Sequence, residues 1–89
     1  MLKLTILTPE KTLFNDQVES VALPGAYSPF TAFPNHAPMI SSLQAGGVVG
    51  YVREGKRETL AVEGGVVKVL NNCVTILVDN LGIESTKNR

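Results

Sequence analysis

The sequence is poor in the residues that build disulfide frameworks and metal sites. Among its 89 residues there is one cysteine, Cys73, one histidine, His36, and no tryptophan. A single cysteine cannot form an internal disulfide bond, which excludes a disulfide-stabilised secreted domain. One cysteine and one histidine also fall short of the ligand set of a structural zinc site. We therefore expect no metal and no cofactor.

Long apolar runs and an excess of charge of either sign are lacking as well. No stretch reaches about 18 apolar residues, and the N-terminus lacks the basic start and long apolar core of a signal peptide. Eight basic residues balance eight acidic ones, which leaves no net field to attract nucleic acid or an anionic membrane. With 44% hydrophobic residues, the chain is not disordered. We expect one soluble domain at residues 1–81 and a polar, frayed tail at residues 82–89.

The apolar residues recur at the two-residue period of β-strands. In residues 2–6, for example, leucine and isoleucine fall on one face, with Lys3 and Thr5 on the other. Glu54-Gly55 and Asn71-Asn72 indicate hairpin turns, and Gly64-Gly65 indicates a bulge or corner. The pattern predicts an all-β fold, either a β-sandwich or a small barrel. The predicted strands are residues 2–6, 11–15, 17–23, 39–43, 47–53, 56–62, 66–70 and 74–79.

Residues 20–52 contain no Asp, Glu, Lys or Arg, and we call them the charge-free segment. Every proline except Pro9 lies in it, together with Tyr27, Phe30 and Phe33. A proline-stiffened stretch with aromatics and no charge is typical of the desolvated centre of a protein interface. It could equally be a proline-pinned cap over the open end of the sandwich.

Strand parity adds two expectations about exposed apolar residues. If residues 28–33 are extended, Phe30 and Phe33 point to opposite faces, so one of them lies outside the core. Residues 74–78 are apolar on nearly both faces. Either both faces of that strand are covered, or the domain offers an apolar face to a partner.

Catalytic equipment is sparse, and its main candidate is His36. The nearest acidic residue in the sequence is Glu19, and no nucleophile stands beside the histidine. We interpret His36 as a hydrogen-bonding residue that fixes a turn, and the chain as noncatalytic. An enzyme that uses His36 is a minor hypothesis. A second alternative is a small-molecule-binding module with a pocket near Tyr27, Phe33 and His36.

Three further motifs favour structural interpretations. Gly64-Gly65 follows Glu63 but lacks the helix and the lysine of a phosphate-binding loop. Residues 53–58 contain three basic side chains that Glu54 and Glu58 largely neutralise, which is typical of a solvated hairpin tip. Cys73 opens a strand, where we expect an inert, largely apolar role.

Five motifs follow one another along residues 2–79. They are Thr8-Pro9-Glu10-Lys11-Thr12-Leu13-Phe14, Val18-Glu19-Ser20-Val21 leading to Leu23-Pro24-Gly25, His36-Ala37-Pro38, Leu60-Ala61-Val62-Glu63-Gly64-Gly65-Val66-Val67-Lys68-Val69 and Val74-Thr75-Ile76-Leu77-Val78. In this order and spacing they resemble the epsilon subunit of F-type ATP synthase. Each motif alone is weak, but the five together are a strong signal.

The resemblance implies a β-sandwich of about ten short strands, the N-terminal domain of that subunit. It implies a noncatalytic part of the rotating central stalk, which couples rotation of the c-ring to the catalytic head through the gamma subunit. The partners would be the gamma subunit and the c-ring, without nucleic acid or lipid insertion, and the isolated chain would self-associate weakly at most. The location would be peripheral, on the cytoplasmic side of the bacterial inner membrane.

Contact residues are carried over from the resemblance by position. The implied c-ring contact is Ala26, Tyr27, Ser28, Pro29 and Phe30. The implied gamma-subunit contact is Thr8, His36, Ala37, Pro38, Met39, Ile40, Ser41 and Ser42.

Two departures from the family pattern change these expectations. The family commonly has a small Gly- and acid-rich turn at residues 26–29, and glycine where this chain has Thr31 and Asn35. Without that acid, we expect more packing and fewer ion pairs at the c-ring contact. Many members also continue into a C-terminal helical hairpin that inhibits ATP hydrolysis, in some cases binding ATP. The 89 residues correspond to the sandwich alone, either a short member or a truncated one, and would lack that inhibition.

Overall fold

Seven β-strands account for the regular structure in a computed structural model that describes residues 1–79. They form one hydrogen-bonded sheet in the order β2-β1-β7-β6-β5-β3-β4. The predicted end of the domain at residue 81 and the tail predicted at residues 82–89 lie outside the described residues. Among residues 1–79 there is no helix with the length and hydropathy needed to cross a membrane. The strands are β1 (Leu2–Leu7), β2 (Thr12–Val18), β3 (Ser20–Leu23), β4 (Phe30–Ala32), β5 (Met39–Arg53), β6 (Lys56–Leu70) and β7 (Cys73–Val78).

The two longest strands, β5 and β6, carry the sheet around a corner. They pair antiparallel along their whole length, with a register shift between Ala45 and Gly47. Gly46, Gly64 and Gly65 all have positive φ at this point, where the strands bend. The first half of β5 and the second half of β6 therefore join β7, β1 and β2 in one layer. The other halves join β3 and β4 in the second layer.

The all-β sandwich predicted from the sequence is confirmed, while the strand assignments differ in three places. The predicted strands at 39–43 and 47–53 are one continuous strand, and so are those at 56–62 and 66–70. β5 and β6 stay hydrogen-bonded to each other on both sides of the corner. The backbone pairing therefore continues where the alternation of apolar side chains is interrupted. The strand predicted at 17–23 is interrupted at Glu19, whose N–H donates to the carbonyl oxygen of Val52 at 2.7 Å.

The core lies between the two layers and is made of alternate strand residues. In β1, Leu2, Leu4 and Ile6 are buried, while the residues between them face outward. Burial of each such side chain contributes about 1.5–3 kcal/mol relative to leaving it in water. No polar or charged side chain is buried within residues 1–79. The sandwich is therefore closed by hydrophobic packing, and its polar interactions lie at the surface.

A polar cluster joins β2 to the hairpin between β5 and β6. The Arg53 guanidinium donates from Nη1 to Oδ2 of Asp16 at 3.1 Å and from Nη2 to Oε2 of Glu58 at 3.4 Å. It also lies 5.4 Å from the centroid of the Phe14 ring, which packs on Tyr51 with ring centroids 4.6 Å apart. The cluster clamps β2 of the first layer onto strands of the second.

We expect Asp16→Asn to lower the melting temperature at neutral pH. The Gln17 backbone N–H and then the Arg53 guanidinium hold the pKa of Asp16 below its ordinary value. A lowered carboxyl pKa stabilises the fold above the unfolded-state pKa, and this stability is lost as pH falls through the folded pKa. Thermal melts should therefore separate the two proteins at pH 7 and bring them together as the pH falls through the lowered folded-state pKa of Asp16.

Glu54→Gln is the matched control, because Glu54 lies at the same hairpin and forms no ion pair within the described part of the chain. It should leave the melting temperature unchanged across this pH range. A constant gap between wild type and Asp16→Asn at every pH would show that the carboxylate charge is not responsible.

Candidate interaction surface

The loop between β3 and β4 presents the aromatic residue that is most exposed. The Tyr27 side chain is fully exposed, and Ala26, Ser28 and Pro29 beside it are exposed as well. Gly25 makes this shape possible: a Cβ there would lie 2.5 Å from the Ser28 carbonyl oxygen and 3.2 Å from the Phe30 ring. The loop therefore folds tightly over Gly25 and directs its tyrosine outward.

Only one of Phe30 and Phe33 packs against the core, as their positions in an extended segment predicted. Phe30 is half-buried and packs against the core, whereas the Phe33 side chain is 59% exposed. Phe30 therefore contributes to the packing of the sandwich, while Tyr27 and Phe33 face outward, where a partner could reach them.

His36 fixes the turn that follows Phe33. Its backbone N–H donates to the Phe33 carbonyl oxygen at 3.1 Å. Its Nδ1 lies 2.8 Å from the Ala37 carbonyl oxygen, which can only accept, so Nδ1 carries the proton and donates. The ring also sits 6.1 Å from the Phe30 ring, between centroids. These contacts support the structural role inferred from the sequence.

An asparagine clasp that the sequence did not reveal ties this turn to the hairpin between β6 and β7. The Asn35 backbone N–H donates to Oδ1 of Asn72 at 2.6 Å, and Nδ2 of Asn72 donates to Oδ1 of Asn35 at 3.5 Å. The Asn72 carbonyl oxygen in turn accepts from the Lys3 N–H at 2.9 Å. The turn is thereby anchored at Asn35 to the hairpin between β6 and β7, which is itself bonded to β1.

The start of β5 places alternate side chains on the two faces of the first layer. Met39 packs against the core, whereas Ile40 is 70% exposed on the outer face. Ser42 is next on that outer face, and Ala37 and Pro38 are exposed just before the strand. Of the predicted gamma-contact residues, these four are the ones most available to a partner.

The outer face of the first layer continues this apolar surface. Ile40 pairs with Lys68, and Ser42 pairs with Val66, which pairs with Leu77 on β7. Val66, Leu70 and Leu77 are all partly exposed, although large apolar side chains ordinarily lie inside. The apolar pattern of residues 74–78 already pointed to such a face. Site assignment by position missed all three residues.

Thr8 lies at the edge of the same face. It follows Leu7, which pairs with Leu77. Its Oγ1 accepts from the Lys11 N–H at 3.1 Å and from the Glu10 N–H at 3.3 Å. Thr8 is therefore half-buried and holds the turn between β1 and β2, so its side chain is less available than that of Ile40.

The other residues that could bind a metal ion or a small molecule do not lie together. Within residues 1–79, no group of three or more His, Cys, Asp or Glu side chains is arranged to hold a metal ion. A groove of about 240 Å³ beside His36 is lined by Asn35, Pro38, Asn71 and Asn72, whereas Tyr27 and Phe33 lie outside it. The Tyr27 side chain is fully exposed and that of Phe33 is 59% exposed, and neither lines this groove with His36. Cys73, expected in an apolar role, is exposed at the start of β7.

Comparisons with known proteins account for the motifs and the fold. The family model described as "ATP synthase, Delta/Epsilon chain, beta-sandwich domain" matches residues 1–82. The chain belongs to this family. The epsilon-type resemblance inferred from the five motifs is thus confirmed at the level of the family.

Bacterial members of the family include the ATP synthase epsilon chains of Leptospira interrogans and Desulfitobacterium hafniense. The chain is 38% identical to the first over 80 residues, which cover 89% of this chain and 61% of that protein. It is 43% identical to the second over 76 residues, which cover 85% and 57% respectively. The chain therefore spans about three fifths of the length of these relatives.

Two solved structures share the fold of this family member. A chain in the mitochondrial ATP synthase of Euglena gracilis, solved with OSCP, F1 and c-ring, aligns with a TM-score of 0.80 and 19% identity. The alignment covers 86% of this chain and 49% of that chain. A chain in the central stalk and c-ring of the Tetrahymena thermophila enzyme gives 0.76 and 18%, covering 91% and 65%. At these identities the likeness establishes the sandwich architecture.

The backbone angle at Asn35 accounts for part of the first departure. The resemblance implies glycine at the position of Asn35, which has a φ of 68°. This is the left-handed region that glycine adopts freely and that asparagine tolerates better than most other residues. Asparagine therefore preserves the backbone of the turn and adds the side chain that completes the clasp with Asn72.

Proposed function

We propose that this chain is a noncatalytic rotor subunit of an F-type ATP synthase. It sits in the central stalk, docks on the gamma subunit and on the polar loops of the c-ring, and transmits rotation from the ring toward the catalytic head. Its location is peripheral, on the cytoplasmic side of the bacterial inner membrane. The complex, not this chain, makes ATP from ADP and phosphate.

The observation that carries the proposal is the exposure of large apolar side chains on a segment without charge. Tyr27, Phe33 and Ile40 are all exposed within residues 20–52. Aromatic side chains bury about 150–250 Å² each when covered, which is a substantial share of the roughly 800 Å² per partner in a standard interface. The epsilon-chain relatives and the two solved ATP synthase assemblies support the same assignment.

Two parts of this surface serve two partners. The exposed loop residues Ala26, Tyr27, Ser28 and Pro29 form the c-ring contact, with Phe30 supporting the loop from inside. The gamma contact is centred on Ala37, Pro38, Ile40 and Ser42, which are exposed, with Thr8, His36, Met39 and Ser41 holding them in place. Prolines stiffen both parts, so little entropy is lost on docking.

Copurification tests the proposal against its alternatives. A tagged 89-residue chain, mixed with its cognate gamma subunit and c-ring, should retain both through a size-exclusion column. A small-molecule-binding module would instead carry a bound metabolite and retain neither subunit. An enzyme that uses His36 would have a pH-dependent activity that His36→Ala abolishes. Either of these results, with no gamma subunit retained, would contradict the proposal.

Tyr27→Ala should weaken binding to the c-ring by about tenfold or more, because truncation removes a central aromatic anchor. The Tyr27 side chain is fully exposed in the isolated domain, so its melting temperature should not change. Tyr27→Phe keeps the ring and should bind nearly as well as wild type. Equal binding of all three proteins to isolated c-rings would remove Tyr27 from the contact.

A further inference from the structure

One edge of the first layer ends on a strand several of whose outward backbone groups have no partner within residues 1–79. Residues 39–43 of β5 pair with β6 on one side. On the other side, the Ala26 N–H donates to the Ser42 carbonyl oxygen at 2.9 Å, and the Gln44 N–H donates to the Pro24 carbonyl oxygen at 2.7 Å. Even-numbered residues therefore direct their N–H and carbonyl groups toward this edge.

Because backbone groups alternate between β6 and the open edge, some of them have no partner among the described residues. The N–H and carbonyl groups of Ile40 and the N–H of Ser42 point away from β6 and have no backbone hydrogen-bond partner within residues 1–79. Met39 and Ser41 direct their backbone groups toward β6, where Val69 and Val67 pair with them. Donors and an acceptor thus stand in a row, at the spacing that an added strand would match.

This edge lacks the protection that native sheets ordinarily give to an open strand. Edge strands are usually blocked by charged side chains, bulges or covering loops. The opposite edge, β2, follows that rule with exposed Asn15, Asp16 and Gln17. Residues 39–43 carry no charge, and Ile40 is exposed on the strand itself. An uncharged, open edge of this kind is a template for pairing with another chain.

We propose that the gamma subunit docks at this edge by strand addition, an inference that rests on the proposed function. An extended segment of that subunit pairs with residues 38–42, accepts from the N–H groups of Ile40 and Ser42, and donates to the Ile40 carbonyl oxygen. One of its apolar side chains packs on Ile40. A carboxylate in the same segment faces Lys68, which pairs with Ile40 and is exposed on the outer face. The first layer of the sandwich and the gamma subunit then share one continuous sheet.

A second copy of this chain fits the edge less well. The open stretch is limited by Pro38, which has no N–H, and by Ser42, whose carbonyl oxygen is already used by Ala26. Self-pairing around Ile40 would bury a short strip, well below the roughly 800 Å² per partner of a stable interface. A larger partner can add a strand and also cover Val66 and Leu77 on the adjoining outer face.

Residue-resolved amide hydrogen exchange tests the proposal on the full chain, alone and bound to its cognate gamma subunit. In the free chain, the amides of Ile40 and Ser42 should exchange quickly and those of Met39 and Ser41 slowly. In the complex, exchange at Ile40 and Ser42 should slow by about tenfold or more. Met39 and Ser41 should change little, because their bonds to β6 already exist.

Substitution at residue 40 separates backbone pairing from side-chain packing. Ile40→Pro removes the isoleucine side chain, as Ile40→Ala does, and in addition an outward N–H, whose loss an edge strand tolerates; it should weaken gamma binding at least tenfold more than Ile40→Ala does. Equal losses, with both variants folded, would mean that the side chain alone makes the contact. If Ile40→Pro fails to fold, the exchange pattern decides the question without it.

Each remaining outcome has a distinct meaning. Absence of any binding to the gamma subunit overturns the proposed function. Binding that leaves the Ile40 and Ser42 amides fast overturns strand addition and leaves the proposed function standing. Slow exchange of both amides in the free chain also overturns strand addition by the gamma subunit. If that protection increases with protein concentration, a second copy of the chain occupies the edge. Protection independent of concentration would identify residues 80–89 of the same chain.

Discussion

Ala37→Asp should weaken binding to the gamma subunit by about 100-fold, the largest effect that we expect from a single surface substitution. Ala37 is exposed between the His36 turn and β5, next to the exposed Ile40. Burial of an unpaired carboxylate against a partner costs several kcal/mol, because the charge loses its water without gaining a counter-ion. Titration of the gamma subunit onto immobilised chain measures the loss, and a thermal melt should find the isolated domain unchanged.

Thr59→Asp and Arg57→Ala are the controls for this result. Both positions are exposed on β6 in the second layer, outside the charge-free segment. The first adds the same charge at a different surface, and the second removes an existing charge. Both should change gamma binding by less than about threefold. Comparable losses for all three variants would mean that net charge, not the position of Ala37, controls binding.

Gly65→Ala should lower the free energy of unfolding by about 2–4 kcal/mol. Gly65 has a φ of 136°, and a Cβ there would lie 2.2 Å from the Leu77 carbonyl oxygen and 2.9 Å from the Val78 Cα. Both atoms are backbone, so relief of the clash would displace β7 from β6 at the corner of the sandwich. Urea unfolding followed by circular dichroism measures the change.

Gly46→Ala is the control that separates the steric clash of an added Cβ from the cost of a left-handed backbone. Gly46 also lies at the corner, with a φ of 79°, but a Cβ there would meet no atom within 4 Å. Its substitution should cost about 1 kcal/mol, the penalty for a left-handed alanine alone. If the two variants lose the same stability, the contact of Gly65 with β7 does not determine the fold at this point.

Much of the fold could be predicted from local pattern. The alternation in Leu2–Leu7 and the turn signals at Asn71-Asn72 depend on neighbouring residues, so they identified strands and hairpins correctly. The continuity of β5 and β6 could not be predicted, because pairing across the corner is a tertiary contact. The clasp between Asn35 and Asn72 was missed for the same reason: its partners are 37 residues apart.

The candidate surface, too, was predictable only in part. The absence of charge at residues 20–52 pointed to the exposed loops, and parity separated Phe30 from Phe33. The resemblance implied both Thr8 and Ile40 as gamma-contact residues, but only the structure shows that Thr8 holds a turn while Ile40 is exposed. Val66 and Leu70 were missed, because their outward direction depends on which face of β6 meets the core.

The structure of an assembled ATP synthase purified through this chain tests the account most directly. The account predicts that the side chains of Tyr27, Phe33 and Ile40, which are exposed in the isolated domain, lie within contact distance of other polypeptides of the stalk and ring. All three side chains facing bulk solvent in that assembly would contradict it.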